Sequence, residues 1–316
     1  MPKNLPRLGV GSWELWIRML VAYSPRYHYP SLGKHVFPML KYDALYRALR
    51  NAGGFEFVEP PPASWDDLAS VHTADFIRKA KTGTFSAAEI MRLELPWSEE
   101  LRELLRLMTG GTLLAARHAL LPASGGIAAN IGGGFHHAFA DHGEGFCLFN
   151  DVAMAIRVLQ RDRRIARAVV IDCDAHHGNG TAACFGDDDD VFTFSMHTQD
   201  NYPAEKPHGS LDIGLARGTE DVEYLKLLRA ALPAVLASQP EIAFYVAGGD
   251  VIRDDQIGGL ALSKTGARER DRLVFEACRA AAVPVVIVLA GGYPRTLEDL
   301  VDVHRGTFEE AKSLAS

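Results

Sequence analysis

The sequence predicts an α/β fold, a single domain with a central parallel β-sheet sandwiched between α-helices and its active site at the C-terminal ends of the strands. Three observations predict it. Short, nearly continuous apolar runs of strand length alternate with longer stretches in which apolar residues recur at i, i+3 and i+4. The short runs lack polar alternation, as expected for parallel strands covered on both faces. Four of them end in Gly, Asp or His, at the place where open α/β sheets gather their ligands. With 316 residues, 47% hydrophobic and 23% charged, the chain can bury roughly 75% of its unfolded surface, enough for one large core. Residues 1–18 read as an N-terminal extension and 19–316 as the folded body.

Along the chain, helical spacing first runs from Glu99 to Met108 and again from Thr112 to Leu121, with Thr109-Gly-Gly-Thr112 as a turn between them. Asn150 or Asp151 caps a helix to Gln160. Strands follow at Ala168 to Ile171 and Val191 to Phe194. A helix from Asp221 to Ala237, capped within Thr219 to Asp221, contains Pro233 and is expected to kink or split there. The strand Ile242 to Val246, the helix Thr265 to Ala282, the strand Val285 to Leu289 and the helix Thr296 to Leu314 complete the pattern.

Composition removes several functions. The 33 basic and 40 acidic residues give a net charge of −7, with no basic run for a phosphate backbone, so no direct nucleic acid binding is expected. No apolar run approaches the roughly 20 residues of a membrane span. Cys147, Cys173, Cys184 and Cys278 are scattered, form no CxxC and read as small buried hydrophobes in a reducing, cytoplasmic setting.

The chemistry lies in the segments after the strands. Asp172-Cys-Asp174-Ala-His176, if extended, turns three ligand-type side chains to one side; Asp174, His176 and a third carboxylate would suit Zn²⁺ or another divalent ion with a coordination position left open. Alone, that segment fits a solvated loop equally well. Gly132-Gly-Gly-Phe-His136-His137 is a second histidine pair, on a glycine turn that lets backbone pass close to a neighbour. Gly145-Phe-Cys-Leu-Phe-Asn-Asp151 reads as an apolar lead into a helix cap, and Asp187 to Asp190 as a solvated acidic turn.

In order, GGGFHHA at 132–138, GEGFCLFND at 143–151, DCDAHHGNG at 172–180, FSMH at 194–197, AGGD at 247–250 with a second Asp at 255, and AGGY at 290–293 resemble the histone deacetylase superfamily, in the arginase/deacetylase fold. Tyr23-Ser-Pro-Arg-Tyr27, Thr109-Gly-Gly-Thr112 and Gly218 to Tyr224 resemble its class IV branch and bacterial histone deacetylase-like amidohydrolases. The resemblance implies one catalytic Zn²⁺ on Asp174, His176 and Asp250, His136 and His137 as paired general acid/base histidines, and Tyr293 as the electrophilic tyrosine. It further implies hydrogen bonds from Asp172 to His136 and from Asn179 to His137. A structural monovalent cation, K⁺, falls on the carbonyls of Asp172, Asp174 and His176 with Ser195 and Met196. Gly145 and Phe146 would face the substrate, with Tyr202 as the opposite wall of an acyl-lysine tunnel.

Three departures stand out: Asn179 where many relatives have Asp, Gly249 before the third metal ligand, and Ala290 as the first residue of a more usual GGGY. The expected reaction is hydrolysis of an acyl group from the ε-amine of lysine in a protein or peptide. An acetylpolyamine or other small amide is the alternative substrate, and a non-catalytic acyl-lysine-binding metalloprotein the alternative class.

Overall fold

The computed structural model describes residues 18–33 and 35–315, and the tryptophans of the expected N-terminal extension, Trp13 and Trp16, lie outside them. Among these described residues eight strands form one parallel sheet: β1 (Met19–Ala22), β2 (Phe55–Val58), β3 (Ile127–Asn130), β4 (Ala168–Asp172), β5 (Val191–Thr198), β6 (Leu211–Leu215), β7 (Ala243–Val246) and β8 (Val285–Val288). Their order across the sheet is β2-β1-β3-β8-β7-β4-β5-β6. Every pairing is parallel, for example Ala128 with Val286, Tyr245 with Ile287, and Asp172 with Ser195. Strands β1, β3, β4, β7 and β8 are buried along their whole length, as apolar runs without alternation require.

The helices are α1 (Lys41–Ala52), α2 (Trp65–Leu68), α3 (Ala74–Thr82), α4 (Ala87–Leu93), α5 (Glu99–Ala119), α6 (Asp151–Arg161), α7 (Asn179–Phe185), α8 (Asp221–Leu236), α9 (Lys264–Ala280) and α10 (Leu297–Ala315). One contiguous row runs α8, α9, α10, α1, while α5 packs on β1, β3 and β8 and on α6. The architecture is a single α/β domain with helices flanking the sheet. No helix among the described residues is long and apolar enough to cross a membrane.

Two expectations are corrected. Thr109-Gly-Gly-Thr112 is no turn but the middle of the continuous helix α5. A Cβ on Gly110 would stand 2.0 Å from the Pro61 carbonyl oxygen, and one on Gly111 2.6 Å from Asn130 Oδ1. The glycines therefore serve close packing of the helix rather than its interruption. Helix α8 likewise runs unbroken past Pro233 and ends three residues later, where only the final turn loses a backbone donor.

The sheet order positions the site. Strands β7 and β8, late in sequence, lie between β3 and β4, so the segments that leave the C-terminal ends of β3, β8, β7 and β4 emerge side by side. The chain's Gly-His, Ala-Gly-Gly-Tyr, Ala-Gly-Gly-Asp and Asp-x-Asp segments are those four exits, at the crevice an open α/β sheet offers to ligands.

Candidate active site

The two histidines ride on the loop after β3. Gly134, at φ +103, would place a Cβ 2.5 Å from the Ala290 amide nitrogen, so only glycine allows the β3 and β8 loops to touch. That loop is fixed by Asp151, a fully buried carboxylate that accepts from the amides of Gly134 (3.0 Å) and Phe135 (2.7 Å) and from Thr112 Oγ1 (2.5 Å). Asn130 Nδ2 in turn donates to Thr112 Oγ1 at 2.9 Å and to the Met108 carbonyl at 2.8 Å. Asp151, at the start of α6, thus couples the glycine loop to α5.

His136 Nδ1 lies 2.8 Å from Asp172 Oδ2, and His137 Nδ1 lies 2.6 Å from Asn179 Oδ1. The adjacent rings differ in electrostatics. Burial pulls His136 down, but the Asp172 and Asp174 carboxylates outweigh it and hold the imidazole up at about 9. Burial likewise lowers His137, and there the positive neighbours His136 and His176 add to it, leaving that ring well below its ordinary value. These surroundings favour the charged form of His136 and the neutral form of His137.

The segment after β4 is not extended. The Asp174 amide donates to Asp172 Oδ1 (3.0 Å) and the His176 amide to Asp174 Oδ1 (2.9 Å), curling the chain. Asp172 consequently turns to His136, while Asp174 and His176 turn toward Asp250. These last three each offer a ligand atom, all buried and within 4.8 Å of one another. His176 Nδ1 stands 3.1 Å from Asp174 Oδ1 and 2.9 Å from Asp250 Oδ2.

The group suits a divalent cation. Burial first, then the charge of Asp174, pushes the Asp250 carboxyl up to about 7, which marks excess negative potential that a cation would relieve. Two oxygens and an imidazole nitrogen, with no thiolate, match a site that keeps a position open. A Cβ on Gly291 would lie 2.4 Å from Asp250 Oδ2 and 2.7 Å from Asp174 Oδ2, so the glycine keeps the approach to this trio clear.

His136, His137, Gly145, Phe146, Asp174, His176, Gly291 and Tyr293, among others, line one cleft. Tyr293 is held by its backbone: its amide donates to Asp255 Oδ2 at 2.5 Å, while Asp255 Oδ1 accepts from Ile257 and Gly258. Burial, then the charges of Asp174 and Asp250, raises the Tyr293 phenol well above its ordinary value, so it keeps its proton as a donor. The ring of Phe146 lies 6.1 Å from that of Tyr293, and the Tyr202 ring stands edge-on 5.1 Å from His137. Ser195 pairs across the sheet with Asp172, its hydroxyl lies 3.0 Å from His197 Nδ1, and Met196 beside it is fully buried.

A model of the histone deacetylase domain matches residues 35–306. The chain belongs to the histone deacetylase family. Every site residue named above lies inside the matched segment. Its relatives include histone deacetylase 2 of Arabidopsis thaliana, 33% identical over 88% of this chain and 76% of that protein. The acetoin utilization protein AcuC of Bacillus subtilis is also 33% identical, over 79% of this chain and 71% of its own. An uncharacterized protein of Picosynechococcus sp. is 39% identical over 90% and 95%. Family membership supports a hydrolase of the deacetylase type.

Sequence reasoning missed part of this deacetylase-family site. Phe37, 5.6 Å from the Phe146 ring, and Tyr42 line the cleft. Lys41, wholly buried, donates to the Ala290 carbonyl at 2.6 Å. Glu144, one residue before Gly145, accepts from Asn179 Nδ2 at 2.7 Å. An acidic residue inside an otherwise apolar and glycine-rich motif was the signal for Glu144; Phe37, Lys41 and Tyr42 carried none.

Proposed function

We propose that this chain is a Zn²⁺-dependent amidohydrolase that removes an acyl group from the ε-amine of lysine in a protein or peptide. The observation that carries the reading is the convergence of a buried Asp174-His176-Asp250 group with the adjacent imidazoles of His136 and His137 and the Tyr293 phenol at one cleft. When bound, zinc supplies Lewis acidity to the amide carbonyl and lowers the pKa of a water.

The protein's own groups then divide the work. With Nδ1–H held by Asn179, His137 presents Nε2 to take the proton as water oxygen bonds to the carbonyl carbon, and it returns that proton to the nitrogen when the C–N bond breaks. The products are a carboxylic acid and a free amine. His136, kept charged by Asp172, places positive charge beside the developing oxyanion, and the Tyr293 hydroxyl donates to it, a contact worth about 3 kcal/mol. Phe146 and Tyr202 flank the acyl-lysine stem, and the Gly145 carbonyl accepts from the substrate amide. A structural K⁺ on the carbonyls of Asp172, Asp174 and His176 with Ser195 and Met196 belongs to the same proposal. So does a cytoplasmic location, supported by four unpaired cysteines.

A second substrate class has one observation in its favour. Glu94 and Glu144 stand near Tyr202; partial burial and then the charge of Glu144 raise Glu94, and burial first, then both carboxylates, raises Tyr202. Such a mouth favours a cationic amine, as in an acetylpolyamine. Turnover of acetyl-lysine peptide, long-chain acyl-lysine peptides and acetylspermidine by metal-analysed protein tests both. Acetyl-lysine turnover that chelation abolishes is expected; activity on acetylspermidine alone would replace the lysine reading with the polyamine one.

A further inference from the structure

We propose that Glu144 is a positioning residue that fixes the tautomer of His137 through Asn179, an inference that rests on His137 being the proton carrier of the proposed reaction. Asn179 is the departure that makes such a residue necessary. A carboxylate at that position accepts hydrogen bonds through either oxygen, so it imposes Nδ1–H on the histidine by itself. A carboxamide has an acceptor face and a donor face, and either can be turned to an imidazole.

The geometry resolves that choice. Asn179 Nδ2 donates to Glu144 Oε1 at 2.7 Å, and Asn179 Oδ1 lies 2.6 Å from His137 Nδ1. Glu144 as a carboxylate only accepts. It therefore draws the NH₂ of Asn179 to itself, turns the amide oxygen to His137, requires the proton on Nδ1 and leaves the Nε2 lone pair facing the cleft. Glu144 is itself held: its side chain is 17% exposed, and His142 Nε2 lies 3.6 Å from Oε2. The backbone beside it also runs against the histidine, since a Cβ on Gly145 would come within 2.9 Å of His137 Cδ2. Position 179 carries no charge itself, and the nearest carboxylate behind His137 is Glu144, one hydrogen bond further out.

This arrangement makes a reciprocal prediction. Glu144→Ala removes the acceptor, frees the Asn179 amide to flip, and lowers kcat by about 10- to 100-fold with KM little changed. Glu144→Gln keeps an acceptor oxygen for Asn179 Nδ2 and stays within about threefold of the native rate. Asn179→Asp alone sets two carboxylates against each other and is impaired, whereas Asn179→Asp with Glu144→Gln restores a donor between them and recovers.

The experiment combines kinetics of the zinc-loaded variants with metal analysis and ¹⁵N spectra of histidine-labelled protein, in which a protonated and an unprotonated Nδ1 resonate far apart. Expected are native metal content throughout, an Nδ1–H signature for His137 in the native protein and Glu144→Gln, and its loss in Glu144→Ala. A Glu144→Ala protein that keeps both its rate and the Nδ1–H signature overturns the proposal. So does one that loses rate while keeping the signature. Failure of the double variant to improve on Asn179→Asp overturns it too, whether or not Glu144→Ala folds. Absence of amide hydrolysis by the native protein would instead overturn the proposed function, and the tautomer comparison would still read out.

Discussion

Replacing Arg270 by Met should destabilise the fold and loosen the Asp174-His176-Asp250 group together, although Arg270 touches none of these three side chains. Arg270, on α9 and wholly buried, donates through Nη1 to the carbonyls of Cys173 (3.2 Å) and Gly248 (2.7 Å). Those carbonyls belong to the segments that carry Asp174 and Asp250. Its Nε donates to Asp271 Oδ1 at 2.9 Å, and Asp271 also accepts from Tyr245 and Thr307. Methionine keeps the length and removes every donor, leaving a buried carboxylate without its cation and two carbonyls without a partner. Breaking a buried pair from one side costs about 3–5 kcal/mol; because Tyr245 and Thr307 still serve Asp271, we take about 4. With about 2.1 cal/mol/K of unfolding entropy per residue over 316 residues, that lowers Tm by about 6 °C. Zinc affinity should fall by about 10- to 100-fold, as it does when groups behind metal ligands are removed. Calorimetry of the metal-free protein and a competitive zinc titration measure the two effects. Arg270→Lys should recover only part of each, since an ammonium lacks the guanidinium fork. A Met variant within about 1 °C of the native Tm, with unaltered zinc affinity, would refute the reasoning.

Three further outcomes are expected. Tyr293→Phe should lower turnover by about 10²- to 10³-fold while metal content stays native, and steady-state rates unchanged from the native protein would remove the phenol from the reaction. His72 is buried and accepts from the Asn150 amide at 3.2 Å, and burial lowers it from its ordinary 6.5 to about 4. Its stabilisation is therefore complete above pH 6.5 and is lost as pH falls toward 4, by about 2 kcal/mol at pH 5; His72→Gln should flatten that part of a denaturation-versus-pH curve, and an equal slope in both proteins would contradict the assignment. Ala290 sits at φ 47, a left-handed conformation that costs an L-residue about 1 kcal/mol, so Ala290→Gly should raise stability slightly in urea denaturation rather than lower it.

How much of this was legible in the sequence follows from where each signal resides. Strands β4, β7 and β8 are unbroken β-branched or aromatic runs, and local composition suffices to find them. Strand β3, Ile-Ala-Ala-Asn, and strand β1, Met-Leu-Val-Ala, are defined by neighbours on both sides rather than by their own propensity. Edge strand β6 is half-exposed and carries a glycine, so its pattern is weak. Helices α1, α3 and α4 carry local signals of their own, an amphipathic pattern in α1 and α3, the Thr73 cap of α3 and the Ser86–Glu89 capping box of α4, whereas the glycines of α5 read as a turn because their close partners, Pro61 and Asn130, are distant in sequence. Metal-type ligands were legible as residue types, and the order of the motifs resembled a known family. Their division into roles was legible only through that resemblance; the residues alone, taken as extended, put Asp172 on the same side as Asp174, and it faces away only after the chain curls.

That last point bears on the histidine pair. His136 and His137 are chemically identical, adjacent, and on the same glycine loop, so nothing within their own motif can make one an acid and the other a base. The difference comes from elements that follow 36 and 42 residues later: Asp172 at the end of β4 stabilises an imidazolium, and Asn179 at the start of α7 accepts a hydrogen bond without supplying charge. Swapping the character of the two partners should therefore swap or equalise the rings, whereas exchanging the histidines themselves changes nothing. The electrostatic asymmetry of the pair is in large part a property of the β4–α7 connection.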